Sequence, residues 1–325
     1  MKRRIYKRSP YIRAVKRYLL LCLVLLLWWG GGCGPSSPDP SKQSTGPKPA
    51  KGSFVALTYN AAGLPPEITK NDTYGRLEQI SPMLNPYDIV GLQEVFNKQG
   101  VNSVSKAVQH KHRFSFDEVR KDRVVSSGLL AFSKFKIAFT YKEHFKRCEG
   151  YLEAASDCLA SKGLHMIRLV LANGAEVDVY NSHFEAGYGK NDHDIREEQA
   201  FAVRDAMLKH SKDRAIIFLG DTNLHNHDKR ESGIVKAWME AVGLKDSREV
   251  AKNPKAPHMR EPSLTEIDKI LYRNGKQVTL TPKSWEVPTG FRTKDEPGKF
   301  YGKDKKELSD HDPIAVTFEW SFNPK

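Results

Sequence analysis

The sequence predicts an α/β fold in which a mixed β-sheet, or a pair of such sheets, is covered by helices. β-rich segments alternate along the chain with segments that have the apolar period of amphipathic helices, of which there are three. Several β-rich segments follow one another too closely for helical crossovers, which favours mixed over purely parallel pairing. The β-rich segments are 54–60, 87–95, 128–133, 164–171, 176–184, 215–220 and 313–320. The helical patterns are 74–84, 192–210 and 231–242.

Residues 1–33 predict a signal peptide of the lipoprotein type. Eight Lys and Arg residues fall within the first eighteen positions, and an unbroken apolar run of eleven residues follows, from Leu19 to Trp29. This run is shorter than the roughly 20 residues that span a bilayer, but it suits a signal peptide. Gly30 to Gly32 then precede Cys33, an arrangement that resembles a bacterial lipoprotein signal. We expect cleavage before Cys33 and lipid attachment to it, with simple secretion as the alternative.

Residues 34–52 are rich in Pro, Ser, Gly and Lys and lack apolar periodicity, so they predict a flexible linker. We expect residues 53–325 to form the folded domain. The net charge of +13 belongs mainly to the export segment, because residues 1–51 carry 11 basic residues and one acid. The rest carries 41 basic and 38 acidic residues, a near balance that gives no independent argument for nucleic acid.

Two cysteines lie in the predicted domain, Cys148 and Cys158. Because export leads to an oxidising compartment, we expect them to form a disulfide that closes a short loop. Two free thiols are the alternative. A zinc role is disfavoured, since no His or Cys partner stands at zinc-site spacing around them.

Polar residues stand at the ends of the β-rich segments, where sheet scaffolds place their sites. Asp221 and Asn223 are two residues apart, a spacing that directs both side chains to one side of an extended backbone. The candidate site residues are Asn60, Glu94, His183, Asp221, Asn223, Asp268, Asp310 and His311.

The order of these residues resembles the endonuclease/exonuclease/phosphatase superfamily, and within it the bacterial sphingomyelinase C-like branch. The segments that carry the resemblance are Asn60, Gln93-Glu94, Ser182-His183, Gly220-Asp-Thr-Asn223 and Ser309-Asp-His311, with further likenesses at 58–65, 157–163 and 285–287. The resemblance covers about residues 54–320. It implies a DNase I-like four-layer sandwich, with two mixed β-sheets packed face to face and helices outside, and hydrolysis of a phosphate ester with a divalent metal.

A phosphodiester is anionic, so its hydrolysis needs charge neutralisation and a base for water. Mg²⁺, or another divalent cation such as Mn²⁺, prefers carboxylate and amide oxygens. We therefore expect Glu94 to bind the metal, with Asn60 beside it and Asp310 either as a further ligand or as a group that contacts the ligands. Asn60 taken alone is equally consistent with a turn former.

The imidazole of His311 is the expected general base, because it titrates near neutrality. The resemblance implies that Asp268 orients His311, that Asp221 positions or protonates the reacting oxygens, and that Asn223 and His183 stabilise the phosphoryl group. Asp268 could instead be a surface acid paired with Lys269.

Other polar groups near these segments receive simpler interpretations. His225, His227 and Asp228 predict a solvated loop at the rim of the site, not a zinc cluster. The pattern at 192–210 predicts a covering helix with Arg196 on its polar side.

Three functional hypotheses remain. A lipid phosphodiesterase acting on a phospholipid head group is favoured by the branch-level resemblance, with the lipid anchor and the segment from Trp285 to Tyr301 as contacts to a membrane. The aromatic residues of that segment could instead pack in the core. A secreted nuclease and a non-catalytic surface adhesin are the alternatives, and the intact set of site residues disfavours the adhesin. No obligate protein partner is indicated.

Overall fold

Two β-sheets stacked face to face form the centre of the fold, and helices cover their outer surfaces. The computed structural model describes residues 48–151, 157–251, 254–255, 266–293 and 307–324. The strands are β1 (Ala50–Asn60), β2 (Ile89–Gln93), β3 (His112–Ser115), β4 (Leu130–Ser133), β5 (Lys136–His144), β6 (Gly163–Val170), β7 (Glu176–His183), β8 (Ala215–Asp221), β9 (Lys245–Asp246), β10 (Pro254–Lys255), β11 (Asp268–Arg273), β12 (Val278–Glu286) and β13 (Ile314–Phe322). The α-helices are α1 (Pro66–Thr69), α2 (Thr73–Met83), α3 (Lys98–Ser105), α4 (Lys190–His210), α5 (Lys229–Val242) and α6 (Ser247–Val250).

Both sheets are mixed, as the sequence predicts. One sheet has the strand order β10-β12-β13-β1-β2-β4-β3, and the other has the order β5-β6-β7-β8-β11-β9. The pairs β1/β2, β7/β8 and β10/β12 are parallel. Because parallel partners run in the same direction, β1 and β2 end at one edge of their sheet, as do β7 and β8 in theirs.

Three apolar clusters separate the four layers. In β1, Phe54 and Ala56 pack between the sheets, whereas Leu57 and Tyr59 pack under α2 and α3. The outer faces of β6, β7 and β8 pack in the same way against α4 and α5. Strands with apolar residues on both faces must be covered on both sides. The predicted four-layer α/β sandwich is confirmed.

Several elements differ from the sequence prediction for local reasons. β5 is an edge strand whose residues are mostly exposed, so it lacks the apolar alternation of a half-buried strand. In β12, the pairing with β13 shifts register between Pro282 and Ser284. β1 begins at Ala50, three residues before the predicted domain boundary, because the end of β13 continues to pair with it, Ala50 opposite Phe322.

The predicted disulfide between Cys148 and Cys158 is present, in the connection between β5 and β6. Closing a loop of this length restricts the unfolded chain and contributes about 3 kcal/mol in the chain-entropy model. The predicted signal peptide, its Cys33 and most of the linker lie outside the described residues. None of the helices in the described part of the chain is long and apolar enough to cross a membrane.

His165 of β6 is a histidine buried between the sheets, and it should make stability depend on pH. Its ring packs edge-on against Phe114 with ring centres 5.2 Å apart, and burial lowers its pKa to about 3. In the unfolded chain a histidine has a pKa of about 6.5. Below that value the unfolded state therefore binds a proton that the folded state does not, and stability is lost as the pH falls towards 3.

We expect His165→Leu to reduce this loss. At about 1.4 kcal/mol per pH unit, His165 should lower the free energy of unfolding by about 2 kcal/mol between pH 6.5 and pH 5. Urea unfolding at pH 7 and pH 5 should therefore show a smaller decrease for His165→Leu than for the wild type. The exposed His227→Leu should behave as the wild type does. Equal pH dependence in the wild type and His165→Leu would contradict the prediction.

Candidate active site

All eight predicted site residues lie at the end of the sandwich where β1, β2, β7 and β8 finish. Strand alternation explains this, because the face of β8 that carries Leu219 between the sheets ends on Asp221. His183 of β7 and Asp268 of β11 lie directly opposite Asp221 in the sheet. Asn60 ends β1 on the facing sheet and reaches the same place. The row formed by His183, Asp221 and Asp268 is thus set by register alone.

Asn60 joins the two sheets at the site. Its Nδ2 donates to Glu94 Oε1 at 2.9 Å and to Asp221 Oδ2 at 3.0 Å. Its Oδ1 accepts from the backbone N–H of Ala62 at 3.0 Å. Carboxylates only accept and a backbone N–H only donates, so these partners fix the orientation of the amide. Asn60 therefore holds both carboxylates in place, and its role as a metal ligand stays a prediction.

The backbone of Glu94 is held in an unusual conformation by two glycines. Glu94 has a φ of 60°, in the left-handed region. A Cβ at Gly63 would lie 2.2 Å from the carbonyl oxygen of Glu94, and a Cβ at Gly128 would lie 3.1 Å from its Cα. Gly63 belongs to the 58–65 segment noted in the sequence. These two glycines thus let neighbouring loops approach Glu94 closely and aim its side chain at the site.

The carboxylate of Glu94 lacks compensating positive charge. Burial and then the charge of Asp310 raise its pKa to about 7, against the opposing influence of Asn60, His311 and Lys162. Asp310 itself is exposed at the edge of the site. A buried carboxylate whose ionisation a neighbouring carboxylate disfavours offers a cation a favourable oxygen ligand.

His311 forms the predicted pair with Asp268. Its Nδ1 lies 2.7 Å from Asp268 Oδ2, and its Nε2 lies 3.6 Å from Asp221 Oδ2. Burial opposes the charged imidazolium, but Asp268 and Asp221 raise the pKa of His311 well above its usual value. The bond to Asp268 fixes the tautomer and turns Nε2 towards the centre of the site. The surface pairing of Asp268 with Lys269 is not found, since Asp268 is buried and the amine of Lys269 bonds to Asn226.

Ser309 anchors the turn that carries Asp310 and His311. Its Oγ donates to the backbone oxygen of Asn60 at 2.6 Å and accepts from the backbone N–H of His311 at 3.2 Å. The Ser-Asp-His motif thus has a structural component, because the serine connects His311 to the end of β1.

Lys162, which was not among the predicted site residues, supplies a buried positive charge. Its Nζ lies 2.5 Å from Asp157 Oδ1, 2.7 Å from the oxygen of Phe184 and 3.3 Å from His183 Nε2. Burial and then Lys162 lower the pKa of His183 to about 3, so this imidazole is neutral. Lys162 is therefore better suited than His183 to balance phosphoryl charge. Its only sequence signal was its place in the 157–163 segment, directly before β6.

Asn223 and Asp221 are fixed by a local turn. Asn223 has a φ of 49°, and its backbone N–H donates to Asp221 Oδ1 at 3.0 Å. Its side-chain Nδ2 donates to the oxygen of Phe184 at 3.2 Å. Burial disfavours the Asp221 carboxylate, but His311, His183 and the hydrogen bonds from the Asn60 side chain and the Asn223 backbone lower its pKa overall. An ionised Asp221 is suited to positioning groups and not to donating a proton.

A second buried ion pair supports the loops after β7 and β8. The guanidinium of Arg196, predicted on the polar side of α4, is instead fully buried and lies 2.5 Å from Glu231. It also donates to the oxygens of Glu185 and Gly187. Glu231 in turn accepts from the backbone N–H and ring of His225. The sequence predicts that α4 only covers the sheet, whereas this ion pair shows that α4 also holds the loops after β7 and β8 in place.

The rim residues agree with the solvated-loop prediction only in part. His227 is exposed, and Asp228 caps the start of α5 by accepting from the N–H groups of Arg230 and Glu231. His225 is held by a carboxylate and is not freely solvated. Among the described residues, the three-residue group with metal-compatible spacing is Asp221, Asp268 and His311.

Two positions could therefore hold a cation. The first position lies among Asp221, Asp268 and His311. There, Asp268 and His311 are already joined by a short hydrogen bond, and neighbouring hydrogen-bond donors and histidines lower the pKa of Asp221. In the second, Glu94 and Asp310 carry charge that raises the pKa of Glu94. A cation relieves repulsion at the second position and competes with existing bonds at the first. The residues thus fit a divalent metal at Glu94, with Asp310 near it.

The aromatic segment expected to contact membrane is buried where the structure describes it. Trp285 and Val287 pack between the sheets, and Phe291 packs with Tyr59, with ring centres 4.9 Å apart. Their exposed fractions are 2 %, 4 % and 5 %. The prediction of a membrane contact is wrong for these three residues, because their apolar side chains are buried in the core clusters. The rest of that segment, 294–301, lies outside the described residues.

Several solved structures have a similar fold. An endonuclease/exonuclease/phosphatase family protein from Bacteroides thetaiotaomicron has a TM-score of 0.62 at 19 % identity, covering 85 % of this chain and 97 % of that chain. Sphingomyelinase C from Streptomyces griseocarneus has a TM-score of 0.64 at 18 % identity, with coverage of 82 % and 99 %. A double mutant of Staphylococcus aureus beta toxin with bound magnesium ions gives the same four values. No protein-family model matches the chain.

Among curated proteins, the similar relatives are sphingomyelinases of Mycobacterium bovis and Mycobacterium tuberculosis. They are 27 % identical over 287 residues, which covers 83 % of this chain and 53 % of each relative. The chain thus spans about half the length of the curated relatives it matches. The resemblance to the DNase I-like superfamily and its sphingomyelinase-like branch is confirmed.

Proposed function

We propose that this chain is an exported, divalent-metal-dependent phosphodiesterase that acts on phospholipid head groups, as sphingomyelinases and phospholipases C do. The arrangement of charges around Asn60 is the main support. This amide binds Glu94 on one side and Asp221 on the other, and Asp221 faces the His311–Asp268 pair. A cation-binding carboxylate and an oriented imidazole thus flank one position, as the hydrolysis of a phosphodiester requires.

The side chains divide the work as follows. A divalent metal at Glu94 and Asp310, when bound, supplies charge neutralisation for the phosphate. In its neutral form, the imidazole of His311 takes a proton at Nε2 from the attacking water as the water oxygen bonds to phosphorus, and Asp268 stabilises the resulting imidazolium. The bond from phosphorus to the lipid oxygen breaks at the same centre, the lipid oxygen takes a proton from solvent and leaves as an alcohol, and the imidazolium of His311 returns its proton to solvent. Lys162 balances the charge that develops on the phosphoryl oxygens, and Asp221 and Asn223 hold them in position.

A lipid substrate is favoured over nucleic acid by two observations. The predicted domain carries 41 basic and 38 acidic residues, whereas affinity for nucleic acid depends on clustered positive charge. The curated relatives that the chain matches are named sphingomyelinases. Export and lipid attachment at Cys33 belong to the same proposal and rest on the signal-peptide pattern.

A side-by-side substrate assay tests the proposal. With Mg²⁺, the purified full chain should release phosphocholine from sphingomyelin, and EDTA should abolish release until excess Mg²⁺ or Mn²⁺ is added. His311→Ala, prepared in parallel, controls for contaminating activity. Strong cleavage of plasmid DNA without lipid turnover would identify a nuclease instead, and turnover that EDTA leaves unchanged would exclude the metal.

A further inference from the structure

A buried arginine of α2 joins two separate segments of the chain at the site. Arg76 is 6 % exposed and shares the buried face of α2 with Leu77 and Ile80. Transfer of a guanidinium from water to such a place is costly unless hydrogen bonds compensate it. The acceptors of its hydrogen bonds therefore indicate what the burial of Arg76 achieves.

The acceptors of Arg76 are backbone oxygens that flank the site residues. Its Nη1 donates to the oxygen of Ala61 at 3.3 Å and to the oxygen of Leu308, and its Nη2 donates to the oxygen of Ala62 at 2.7 Å. Ala61 and Ala62 directly follow the last residue of β1, and Leu308 directly precedes the Ser-Asp-His motif. One planar guanidinium thus connects the turn after β1 to the turn before β13.

The turn after β1 carries contacts that place Asn60 and Glu94. The backbone N–H of Ala62 donates to Asn60 Oδ1, and that of Ala61 donates to the oxygen of the residue before Glu94. Ala62 has a φ of 47°, a left-handed conformation that an alanine seldom adopts, so neighbouring contacts have to hold it. Arg76 supplies such a contact through the oxygen of Ala62.

The turn before β13 carries the expected base, His311. Ser309 Oγ bonds this turn to the end of β1, and Arg76 holds the residue before Ser309 through the oxygen of Leu308. On its other side the turn leads into β13, which pairs with β1. The position of the His311 ring therefore depends on contacts at both ends of a short turn, and Arg76 provides one of them.

We propose that Arg76 is a positioning residue for the hydrolysis, which holds the end of β1 and the turn with His311 in a fixed relation. This role rests on the proposed function, because it concerns the same site. Arg76 does for these two segments what Arg196 does for the loops after β7 and β8. Without Arg76 the site residues would be present but displaced, and a displacement of about 1 Å can lower a rate on the order of 10²-fold.

Kinetics of Arg76→Lys in the full chain, on the water-soluble bis-p-nitrophenyl phosphate, test this role. Lysine keeps the charge but lacks the planar fork that connects the two segments. We expect kcat to fall on the order of 10²-fold and KM to change by less than about threefold, because the chemical step depends on the position of the base. Arg76→Gln, which is neutral and keeps an amide donor, replaces Arg76→Lys if the latter does not fold. A wild-type kcat in the folded variant would overturn the proposal.

Arg273 offers a matched control for the loss of a guanidinium. It also donates to several backbone oxygens, those of Ser211, Arg214 and Val242 among them, at the end of the sandwich away from the site. Arg273→Lys should lower the unfolding temperature about as much as Arg76→Lys does and should leave kcat unchanged. Equal losses of kcat in the two variants would make Arg76 a stabilising residue alone and overturn the proposal.

A double variant shows whether Arg76 acts through the turn before β13. Ser309→Ala removes the hydrogen bond that joins this turn to the oxygen of Asn60. Because either change releases the same turn, Arg76→Lys combined with Ser309→Ala should lose less activity than the product of the two single losses. Single losses that multiply in the double variant would contradict an action through this turn.

Hydrogen exchange separates the positioning role from the proposed function, because it needs no substrate. In Arg76→Lys the backbone amides of Ala61, Ala62 and His311 should exchange about tenfold faster than in the wild type, whereas those of β8 should be unchanged. Faster exchange at these amides in a chain that hydrolyses no phosphodiester would refute the proposed function and still support the role of Arg76 in ordering these turns. Unchanged exchange at these amides would overturn that role whatever the substrate is.

Discussion

Replacement of His311 by alanine should lower kcat by about 10³- to 10⁴-fold, the contribution expected of a positioned general base. The imidazole of His311 has one nitrogen that faces Asp221 and a second nitrogen that lies 2.7 Å from the carboxylate of Asp268. Asp268→Asn should lower kcat on the order of 10²-fold or more, because it no longer stabilises the imidazolium. Initial rates on bis-p-nitrophenyl phosphate at saturating Mg²⁺ would measure both effects without involving a membrane.

The chain offers a close control for this experiment. His225 is also partly buried, and its Nδ1 lies 2.9 Å from Glu231 Oε2, so it repeats the histidine–carboxylate pair a short distance from the site. His225→Ala should retain most of the activity on the soluble substrate. The His311→Ala and Asp268→Asn losses should also be non-additive in the double variant, because one residue acts through the other. Additive losses, or equal losses in His225→Ala, would refute the assignment of His311 as base.

The sequence predicts those parts of the site that follow from strand alternation. Asn60, His183 and Asp221 end strands whose inward residues are mainly apolar, so their convergence needs only the period of two and the strand directions. The pairing of His311 with Asp268 spans 43 positions and was reached through the family resemblance, since no local pattern links the two.

The parts that were missed depend on which charged and apolar groups the tertiary structure buries. In the sequence of α4, Arg196 stands among charged residues that are exposed, and its partner Glu231 is 35 positions away, so no local pattern distinguishes it. Lys162 is a single lysine before a strand, and only the fold brings it to His183. Trp285 shows the converse case, because an apolar residue beside a charged segment fits either a core or a membrane contact.

The second large effect is expected at Glu94. Glu94→Gln should lower kcat by about 10³-fold at physiological Mg²⁺, because a metal that loses its carboxylate ligand withdraws several kcal/mol of charge stabilisation. The Mg²⁺ or Mn²⁺ concentration for half-maximal activity should rise by at least about tenfold. Titration of Mn²⁺ followed by calorimetry would show the same loss of affinity without relying on activity.

Stability distinguishes a metal ligand from a residue required for folding. The pKa of Glu94 is raised to about 7, so at neutral pH its ionised form is disfavoured in the metal-free protein. Removing that charge relieves repulsion with Asp310, and glutamine can still accept from Asn60 Nδ2. Metal-free Glu94→Gln should thus unfold at the same temperature as the wild type or a higher one, whereas with metal the order should reverse. Asp312→Asn, two positions from Asp310, is the control for a nearby lost charge and should keep the wild-type metal response. A buried charge that binds a cation destabilises the folded protein as long as the cation is absent. A metal-free Glu94→Gln that is clearly less stable than the wild type would therefore show that the carboxylate stabilises the fold.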